Sequence, residues 1–440
     1  MSVVIMVLQL LLGLAILIIL HELGHYLAAR AFGIRIEKFF LFFDAWGVKF
    51  LSLKRGDTEF GIGWLPLGGY VKIAGMIDES MDKAQMALPP KSDEFRSKPA
   101  WQRLIVMLAG VTVNLIFGVL IFWFLTLEVG QTYVPMSAYT DGIVPGEALK
   151  HIGVKAGDHI VRMGSKPVNR NTDLMSSELF YGNIDLGLTR NGRDTTLRVP
   201  ANFVEIFSKY STDEPLFQQR VRSQIDSIVP SGHAAIAGLK KGDKIIGING
   251  MVTPFWDQVQ QAIARFRGTN LLLQVTRAGN TLDIHATTNA QGKLGLTAFV
   301  PIMPSKRETF TFFKAFQVGS TKAFGVIGES AKNISKIAKR EMSPRVMSGP
   351  IGIARVYGAD FDWVRFWGLT GILSMGLAFV NILPIPALDG GHALFLIIEM
   401  IKGKPLSDKF LESAQLVGFF IIMGLIIFQF GNDIMKIFVK

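Results

Sequence analysis

Four long runs of apolar residues stand out along the chain, at residues 3–20, 104–127, 366–388 and 414–430. A helix needs roughly 20 apolar residues to cross a bilayer, and each run is close to that length or longer. A buried core helix is the alternative for any one run, and a signal peptide is an alternative for the first. No basic residue precedes the first run and no small-residue cleavage site follows it. The pattern therefore predicts four membrane-spanning helices.

The composition agrees with a membrane protein. Of the 440 residues, 49% are hydrophobic and only 18% are charged, which excludes intrinsic disorder and does not suit a purely soluble chain. The absence of cysteine excludes disulfides, zinc–thiolate sites and a cysteine nucleophile. The formal net charge is +11, but no basic stripe with interleaved aromatic residues accompanies it. We therefore expect a lipid bilayer as partner and no nucleic acid.

Basic residues indicate which loops face the cytoplasm. Those in the loop between the first two runs and in the loop between the last two are Arg30, Arg35, Lys38, Lys49, Lys54, Arg55, Lys91, Arg96, Lys98, Arg103, Lys402, Lys404 and Lys409. Lys and Arg accumulate in short cytoplasmic loops, so both loops are predicted to be cytoplasmic. The long segment between the second and third runs, and both termini, then face outside.

The long outward segment repeats itself. Ile143-Val-Pro145 recurs 85 positions later as Ile228-Val-Pro230, and a second block matches without a gap. The matched pairs are Gly153 with Gly238, Lys155 with Lys240, Gly157 with Gly242, Asp158 with Asp243, and Ile160 with Ile245. These copies resemble the PDZ-domain signature, which predicts two tandem PDZ-like α+β domains at 129–215 and 216–303. Two unrelated β-rich modules that share a turn are the alternative.

Residues 304–362 are predicted to be an amphipathic helical linker. Within 309–339, apolar residues recur at helical spacing: Phe310, Phe313, Phe316, Val318, Phe324, Val326 and Ile327. Such a helix either packs on the repeats or lies on the membrane surface, and the pattern slightly favours the surface position.

The candidate chemistry lies at the end of the first run, in His21-Glu22-Leu23-Gly24-His25. Positions four apart share one face of a helix, so both imidazoles can reach one metal ion. Neutral histidine is a common zinc ligand, and Glu22 is placed to act as a general base toward water. A chance match of polar residues is the alternative. Three such side chains after an apolar run would be costly there without a function, which favours the metal site.

A third ligand is expected from elsewhere in the chain. Asp389 follows Pro384 and Pro386 at the end of the third run, and two prolines are expected to break that helix. A carboxylate at the break would complete a His2Asp site. An aspartate facing water at a helix end explains the pattern equally well, and the residues alone leave the two interpretations open.

Taken together, these segments resemble the site-2 protease family of intramembrane zinc metalloproteases. HELGH in the first span and NILPIPALDGG in a later span carry the resemblance, and the PDZ-like insertion narrows it to the regulator of sigma-E protease group. Three further segments fit the family: GWLPLGGYVKI at 63–73 for its membrane-associated β-hairpin, LAGVTVN at 108–114 in the second span, and SGPIGIA at 348–354. Val111 departs from the family pattern, where a proline is common.

The resemblance implies a role for each matched residue. His21, His25 and Asp389 would bind Zn²⁺, Glu22 would be catalytic, and Asn381 and Pro386 would help to hold the substrate chain. A substrate helix must unwind before cleavage, and the glycine-rich hairpin around 61–70 is expected to receive it by strand addition. The residues assigned to that role are Gly68, Gly69 and Tyr70.

The predicted fold is a polytopic α-helical membrane protein with four transmembrane helices, a membrane-associated β-hairpin and two tandem PDZ-like domains. Its segments are transmembrane helix 1 at 1–32, a cytoplasmic hairpin region at 33–100, transmembrane helix 2 at 101–128, the two repeats, the linker, transmembrane helix 3 at 363–392, a cytoplasmic loop or helix at 393–411, and transmembrane helix 4 at 412–433.

The predicted activity is zinc-dependent cleavage within the membrane. The resemblance implies a substrate that is a single-pass membrane protein, of the anti-sigma factor type, already trimmed on its outer side. It also implies the bacterial inner membrane, with periplasmic PDZ-like domains and an active site toward the cytoplasm. The alternatives are a membrane-anchored zinc protease that cuts soluble loops and a non-catalytic PDZ scaffold. The sequence leaves the oligomeric state open.

Overall fold

The computed structural model describes residues 2–66, 68–76, 89–210 and 214–438. The chain divides into two compact units. The first, here the membrane unit, comprises Met1–Gln131, Glu308–Lys339 and Met347–Lys440. The second, here the repeat unit, comprises Thr132–Arg307 and Arg340–Val346.

Helices and strands are numbered in chain order over the described residues. The helices are α1 (Ser2–Ala31), α2 (Ala100–Val129), α3 (Glu147–His151), α4 (Ser177–Tyr181), α5 (Phe203–Tyr210), α6 (His233–Ile236), α7 (Trp256–Arg265), α8 (Phe312–Ala338), α9 (Pro350–Tyr357), α10 (Trp363–Ile382), α11 (Asp389–Lys402) and α12 (Asp408–Phe438). The strands are β1 (Ile36–Leu41), β2 (Lys49–Arg55), β3 (Thr58–Gly63), β4 (Tyr70–Ile73), β5 (Gln131–Tyr133), β6 (Ile143–Pro145), β7 (His159–Met163), β8 (Lys166–Pro167), β9 (Ile184–Arg190), β10 (Arg193–Val199), β11 (Phe217–Gln219), β12 (Ile225–Ile228), β13 (Lys244–Ile248), β14 (Met251–Val252), β15 (Asn270–Arg277), β16 (Asn280–Thr287), β17 (Leu296–Ala298) and β18 (Lys306–Glu308).

Among the described residues, four helices are long and apolar enough to cross a membrane: α1, α2, α10 and α12. They coincide with the four predicted runs, and the prediction of four candidate spans is confirmed. Helix α1 continues without interruption through residues 21–25 to Ala31. A 30-residue helix is about 45 Å long, so α1 exceeds the roughly 30 Å of a hydrocarbon core.

The third span is shorter than predicted. Helix α10 ends at Ile382, the segment 383–388 is not helical, and Asp389 begins α11. The prediction of one helix over 363–392 is therefore wrong, although the expected break is present. Pro384 and Pro386 cause it, because proline has no N–H to donate and disfavours a helical residue before it. Ala387 within the break adopts a φ of 75°.

A four-stranded sheet follows the first span. Its strand order is β2-β3-β1-β4, with β1 and β3 parallel and the remaining pairs antiparallel. Strands β2 and β3 form a hairpin that lies before the predicted one at 63–73, and β3 lies inside the sheet, where Gly61 pairs with Ser52 on one side and Phe40 on the other. The glycines of β3 therefore cannot receive an added strand. Strand β4, which begins at Tyr70 and pairs with β1, is an edge strand of the sheet. Residue 67, within the predicted hairpin, lies outside the described residues.

Helix α8 packs against the second span, a contact that the sequence pattern does not indicate. Its small residues Ala315, Gly319 and Ala323, spaced by four, are buried. A Cβ added to Gly319 would lie 2.7 Å from the Cα of Trp123, so the helix packs closely on the second span. Small residues allow helix backbones to approach in this way. The aromatic residues that defined the sequence pattern, including Phe313, remain largely exposed.

The short helix α9 is held at both ends by polar side chains of membrane helices. At its start, the carboxylate of Asp433 accepts hydrogen bonds from the backbone N–H groups of Gly349 and Gly352, each at 2.9 Å. At its end, Gln9 Nε2 donates to the carbonyl of Gly358 at 3.0 Å. Gln9, a polar residue within the first apolar run, therefore has a structural role, because it satisfies a carbonyl at a helix end.

Each repeat has its own hydrophobic core and the same strand arrangement. The first pairs β10-β9-β7-β8 and β11-β6, and the second pairs β14-β13-β15-β16 and β12-β17. In both repeats the last strand pairs with the first, antiparallel. Because Phe217–Gln219 pairs with Ile143–Pro145, the first repeat extends beyond its predicted boundary at 215.

The matching aspartates of the two repeats make the same contacts. Asp158 receives two hydrogen bonds from Arg190, and Asp243 receives two from Arg277, at 2.7–2.8 Å. Each carboxylate also accepts the backbone N–H three residues before it, at 2.8 Å. In both copies, the aspartate of the repeated Gly-Asp pair therefore stabilises its own turn and binds an arginine of a later strand.

Candidate active site

Two imidazoles and one carboxylate converge in the membrane unit. His21 and His25 come from adjacent turns of α1, and their Nε2 atoms lie 3.2 Å apart. Asp389 comes from the start of α11, and its Oδ2 atom lies 3.1 Å from Nε2 of His21 and 3.4 Å from Nε2 of His25. One ligand atom from each residue falls within 4.8 Å of the others. Each side chain is less than one-fifth exposed.

The donor set fits a divalent cation. Oδ2 of Asp389 is buried and accepts no hydrogen bond of good geometry from any residue that the structure describes. An unsatisfied buried carboxylate oxygen is costly unless a cation is nearby. Two imidazole nitrogens and one carboxylate oxygen are ligands that zinc uses, and catalytic zinc sites keep a further position for water.

The second span orients His25. Nδ1 of His25 lies 2.8 Å from the backbone carbonyl of Val106, and a carbonyl can only accept a hydrogen bond. Nδ1 therefore carries a proton, and Nε2, which faces Asp389, is the nitrogen that the neutral imidazole can offer to a metal ion. This second contact is the usual way in which a metal-binding histidine is held in one tautomer.

Gly110 of the second span leaves the room that the imidazoles occupy. A Cβ at this position would lie 2.4 Å from Nε2 of His25 and 2.7 Å from Cε1 of His21. Sequence reasoning did not assign a site role to Val106 or to Gly110. The segment 108–114 carries only the family resemblance, and a backbone carbonyl contact does not depend on residue type.

Glu22 lies beside the three candidate ligands. It interacts electrostatically with His21, His25 and Asp389, and the backbone N–H of Val71 in β4 approaches its carboxylate. The edge strand of the sheet and the candidate general base are therefore neighbours.

Close backbone packing fixes Asp389 at the break of the third span. A Cβ on Gly390 would lie 2.3 Å from the carbonyl oxygens of both Ile382 and Leu383. Only glycine permits this approach, which folds the start of α11 against the end of α10. As the first residue of α11, Asp389 also lies at the positive end of the helix dipole, which favours its anionic form.

Of the five predicted substrate-binding residues, Asn381 contacts the cluster of candidate ligands, and the other four pack against neighbouring segments. Nδ2 of Asn381 lies 3.5 Å from Nε2 of His21, so Asn381 reaches the cluster. The carbonyl of Pro386 packs against Gly418 of the fourth span. Gly69 packs against Ile18 of the first span.

Gly68 and Tyr70 lie against aromatic residues of the sheet region. Gly68 approaches the ring of Phe43, and Tyr70 stacks on the same ring at 6.0 Å. The hydroxyl of Tyr70 donates to Asp44 at 2.7 Å. Burial acts to raise the pKa of Asp44, but hydrogen bonds from Lys38 and Tyr70 outweigh it and hold the pKa below its ordinary value. Asp44 therefore stays anionic and anchors the Tyr70 ring.

The fold and this donor set define a class of protein, a membrane-embedded metallopeptidase. The profile of Peptidase family M50 matches residues 9–425. The chain is 28% identical to the regulator of sigma E protease of Haemophilus influenzae, over 97% of each chain. It is 27% identical to a Vibrio cholerae protein described as a zinc metalloprotease, over 97% of each chain. It is 26% identical to the regulator of sigma-E protease RseP of Escherichia coli strain K12, over 95% of this chain and 96% of the relative.

The chain belongs to Peptidase family M50. It is a zinc metalloprotease of the membrane, as the resemblance implied. Family membership removes the support for a non-catalytic scaffold.

Proposed function

We propose that this zinc metalloprotease hydrolyses peptide bonds within the membrane-spanning segments of single-pass membrane proteins. The observation that carries the proposal is the position of the donor cluster. It joins the continuous helix of one candidate span to the break at the end of another. A site so placed can meet a substrate segment without first extracting it from the membrane.

Each residue of the cluster has a proposed role. His21, His25 and Asp389 hold the zinc ion, a role supported by their convergence and by the unsatisfied Oδ2 of Asp389. A bound zinc ion supplies a Lewis acid for the scissile carbonyl and a lowered pKa, around 7, for water. Glu22 takes the proton from the attacking water and delivers it to the leaving amine.

The edge strand β4 is proposed to receive the unwound substrate. A transmembrane helix satisfies its own backbone hydrogen bonds, so cleavage requires that some of these groups find new partners. An edge strand offers such partners, and β4 lies beside Glu22 through the N–H of Val71. Gly68, Gly69 and Tyr70 lead into this strand, and Asn381 and Pro386 are proposed to hold the substrate from the side of the third span.

The repeat unit is proposed to consist of two PDZ-like domains that limit access by size. Their matching strand order and paired cores support a tandem duplication. The distribution of basic residues supports a periplasmic position for the repeats and a cytoplasmic side for the β-sheet, which is proposed to be membrane-associated. A bacterial inner membrane and an anti-sigma factor as substrate are also proposed, supported by two relatives that are named as regulators of sigma E.

Cleavage of a reconstituted substrate tests the proposed site of action. The full-length protein in lipid vesicles, loaded with zinc, receives a single-pass peptide and, separately, the same target sequence placed in a soluble loop. Mass spectrometry of the products locates each cut, and the Glu22→Gln variant serves as the inactive control. We expect cuts within the membrane-spanning segment. Cuts confined to the soluble loop would instead support a membrane-anchored protease for soluble loops.

Removal of the repeats tests the proposed filter. A variant that lacks residues 130–300 should cleave a substrate with its outer domain intact, which the full-length protein should leave uncut. Unchanged selectivity would refute the filter while leaving the proposed chemistry in place.

A further inference from the structure

Asn114 lies in the second span against the ring of His21. It is fully buried, and its amide Nδ2 lies 3.2 Å from Nδ1 of His21. Its amide oxygen Oδ1 is buried and has no hydrogen-bond partner among the residues that the structure describes. An amide with one end against an imidazole and the other end unsatisfied is an unusual element of a membrane-helix interior.

Zinc binding requires one tautomer of His21, and that tautomer determines whether Nδ1 donates or accepts a hydrogen bond. Nε2 of His21 faces Asp389 and His25, so this nitrogen must offer its lone pair. The proton of the neutral imidazole then resides on Nδ1, which becomes a donor and needs an acceptor. An amide N–H cannot accept that hydrogen bond.

A half-turn of the Asn114 amide resolves both difficulties. The two ends of the amide have nearly the same shape, and the hydrogen-bond network decides which end is oxygen. With Oδ1 against His21, the unsatisfied oxygen gains a donor and the Nδ1–H group gains an acceptor. The zinc-competent tautomer and the orphaned oxygen therefore point to the same orientation.

The backbone of the second span places Asn114 for this contact. Val106, Gly110 and Asn114 are spaced by four and share one helix face. Along this face, the Val106 carbonyl contacts His25, the missing side chain of Gly110 leaves space, and the Asn114 amide contacts His21. Ser374 of the third span donates a buried hydrogen bond to the Asn114 carbonyl at 2.8 Å, which ties that turn to α10.

We propose that Asn114 is a positioning residue, whose amide oxygen accepts a hydrogen bond from Nδ1 of His21 and aims Nε2 at the zinc ion. The proposal rests on the proposed role of His21 as a ligand. Partners of this kind are typically worth 10–100-fold in metal affinity or activity. The second span would then orient both imidazoles, one through its backbone and one through a side chain.

The test compares three variants of the full-length protein in detergent. Asn114→Leu removes the acceptor at similar volume, and Asn114→Asp keeps an acceptor oxygen. Ser374→Ala perturbs the same helix contact without touching His21. Zinc affinity is measured by competition with a chromophoric chelator, and the absorption spectrum of the cobalt-loaded protein reports ligand geometry.

We expect Asn114→Leu to bind zinc about 10–100-fold more weakly and to shift the cobalt spectrum. Asn114→Asp and Ser374→Ala should each stay within about threefold of wild type, a difference small beside that range. Wild-type affinity in Asn114→Leu would overturn the proposal. Equal weakening in Asn114→Leu and Ser374→Ala, or in Asn114→Leu and Asn114→Asp, would also overturn it, because packing or charge would then be the cause. A His21→Ala variant with wild-type affinity would instead refute the proposed ligand role of His21.

Discussion

Two aspartates with little solvent exposure, one in each unit of the molecule, have opposite surroundings. Asp243 in the repeat unit is 1% exposed, and its carboxylate receives Arg277 and a backbone N–H. Asp389 in the membrane unit faces two imidazoles, and its Oδ2 accepts no hydrogen bond of good geometry from a described residue. The first carboxylate is satisfied by the chain itself, whereas the second requires a cation that the chain does not supply.

The difference shows that burial of a charged group does not identify a functional site. Both aspartates adjoin a glycine, Asp389 is the first residue of α11 and Asp243 directly precedes β13, so sequence context alone does not separate them. What separates them is the partner. An aspartate paired with arginine stabilises a turn, and an aspartate with an unsatisfied oxygen beside two histidines offers a ligand set.

The largest expected effect follows from separating proton transfer from metal binding. Glu22→Gln removes the general base but leaves the proposed ligands in place. We expect proteolysis to fall by about 10²–10⁴-fold, the usual contribution of general acid–base catalysis, while bound zinc stays at the wild-type level. Peptide cleavage and metal content are measured on the same preparations. Loss of zinc together with activity would mean that Glu22 is itself a metal ligand, which would contradict its separate role as general base.

A methyl group added at Gly110 of the second span should displace the two imidazoles of the candidate zinc site by steric clash. Gly110→Ala places a Cβ against both imidazoles, which cannot both keep their positions. We expect zinc affinity to fall at least about tenfold, as when a ligand loses its orientation. Gly376→Ala is the matched control, because a Cβ there meets nothing within 4 Å. Equal zinc affinity in the two variants would show that the space at Gly110 does not serve the site.

Removing the carboxylate of Asp243 should affect stability and spare the chemistry. Asp243→Ala loses charge-assisted hydrogen bonds, so we expect the repeat unit to lose about 2 kcal/mol of unfolding free energy. Hydrogen exchange of strands β13 and β15 is the local measurement, and zinc content should not change. A variant that keeps its exchange protection but loses zinc would reverse the assignment of the two aspartates.

The stability that Asp243 contributes should depend on pH in a defined direction. Burial acts to raise the pKa of Asp243, but hydrogen bonds from Arg277 and the N–H of Lys240 outweigh it and lower the pKa. Because the pKa of Asp243 is lower in the native protein than its unfolded value of about 3.9, the ionised carboxylate stabilises the native state above that pH. This stability is lost as the pH falls through the native pKa. The difference in melting temperature between wild type and Asp243→Ala should therefore be full near neutral pH and shrink below about pH 4. A difference that grows on acidification would contradict this sign.

The parts of the fold that could be predicted were those with a local pattern. Apolar runs predicted the four candidate spans, two prolines predicted the break before Asp389, and the repeated Gly-Asp turn predicted a duplication that matches the observed strand order. These patterns depend on neighbouring residues, so the sequence displays them directly.

The parts that could not be predicted depend on contacts between distant segments. The parallel pairing of β1 with β3 turns a hairpin into a four-stranded sheet, and no local period distinguishes the two. Helix α8 packs closely on the second span through its buried small residues, with Phe316 against Trp123, and its apolar spacing does not identify that partner. The orientation of His25 depends on a carbonyl of Val106, which any residue type would carry.

The most direct test of the account is the zinc content of purified Asp389→Asn after dialysis against a weak chelator. Inductively coupled plasma mass spectrometry on wild type, Asp389→Asn and Asp243→Asn gives the metal per chain. The account predicts about one zinc ion per chain in wild type and in Asp243→Asn, and loss of zinc in Asp389→Asn. Full retention of zinc by Asp389→Asn would contradict the proposal that this aspartate completes the site.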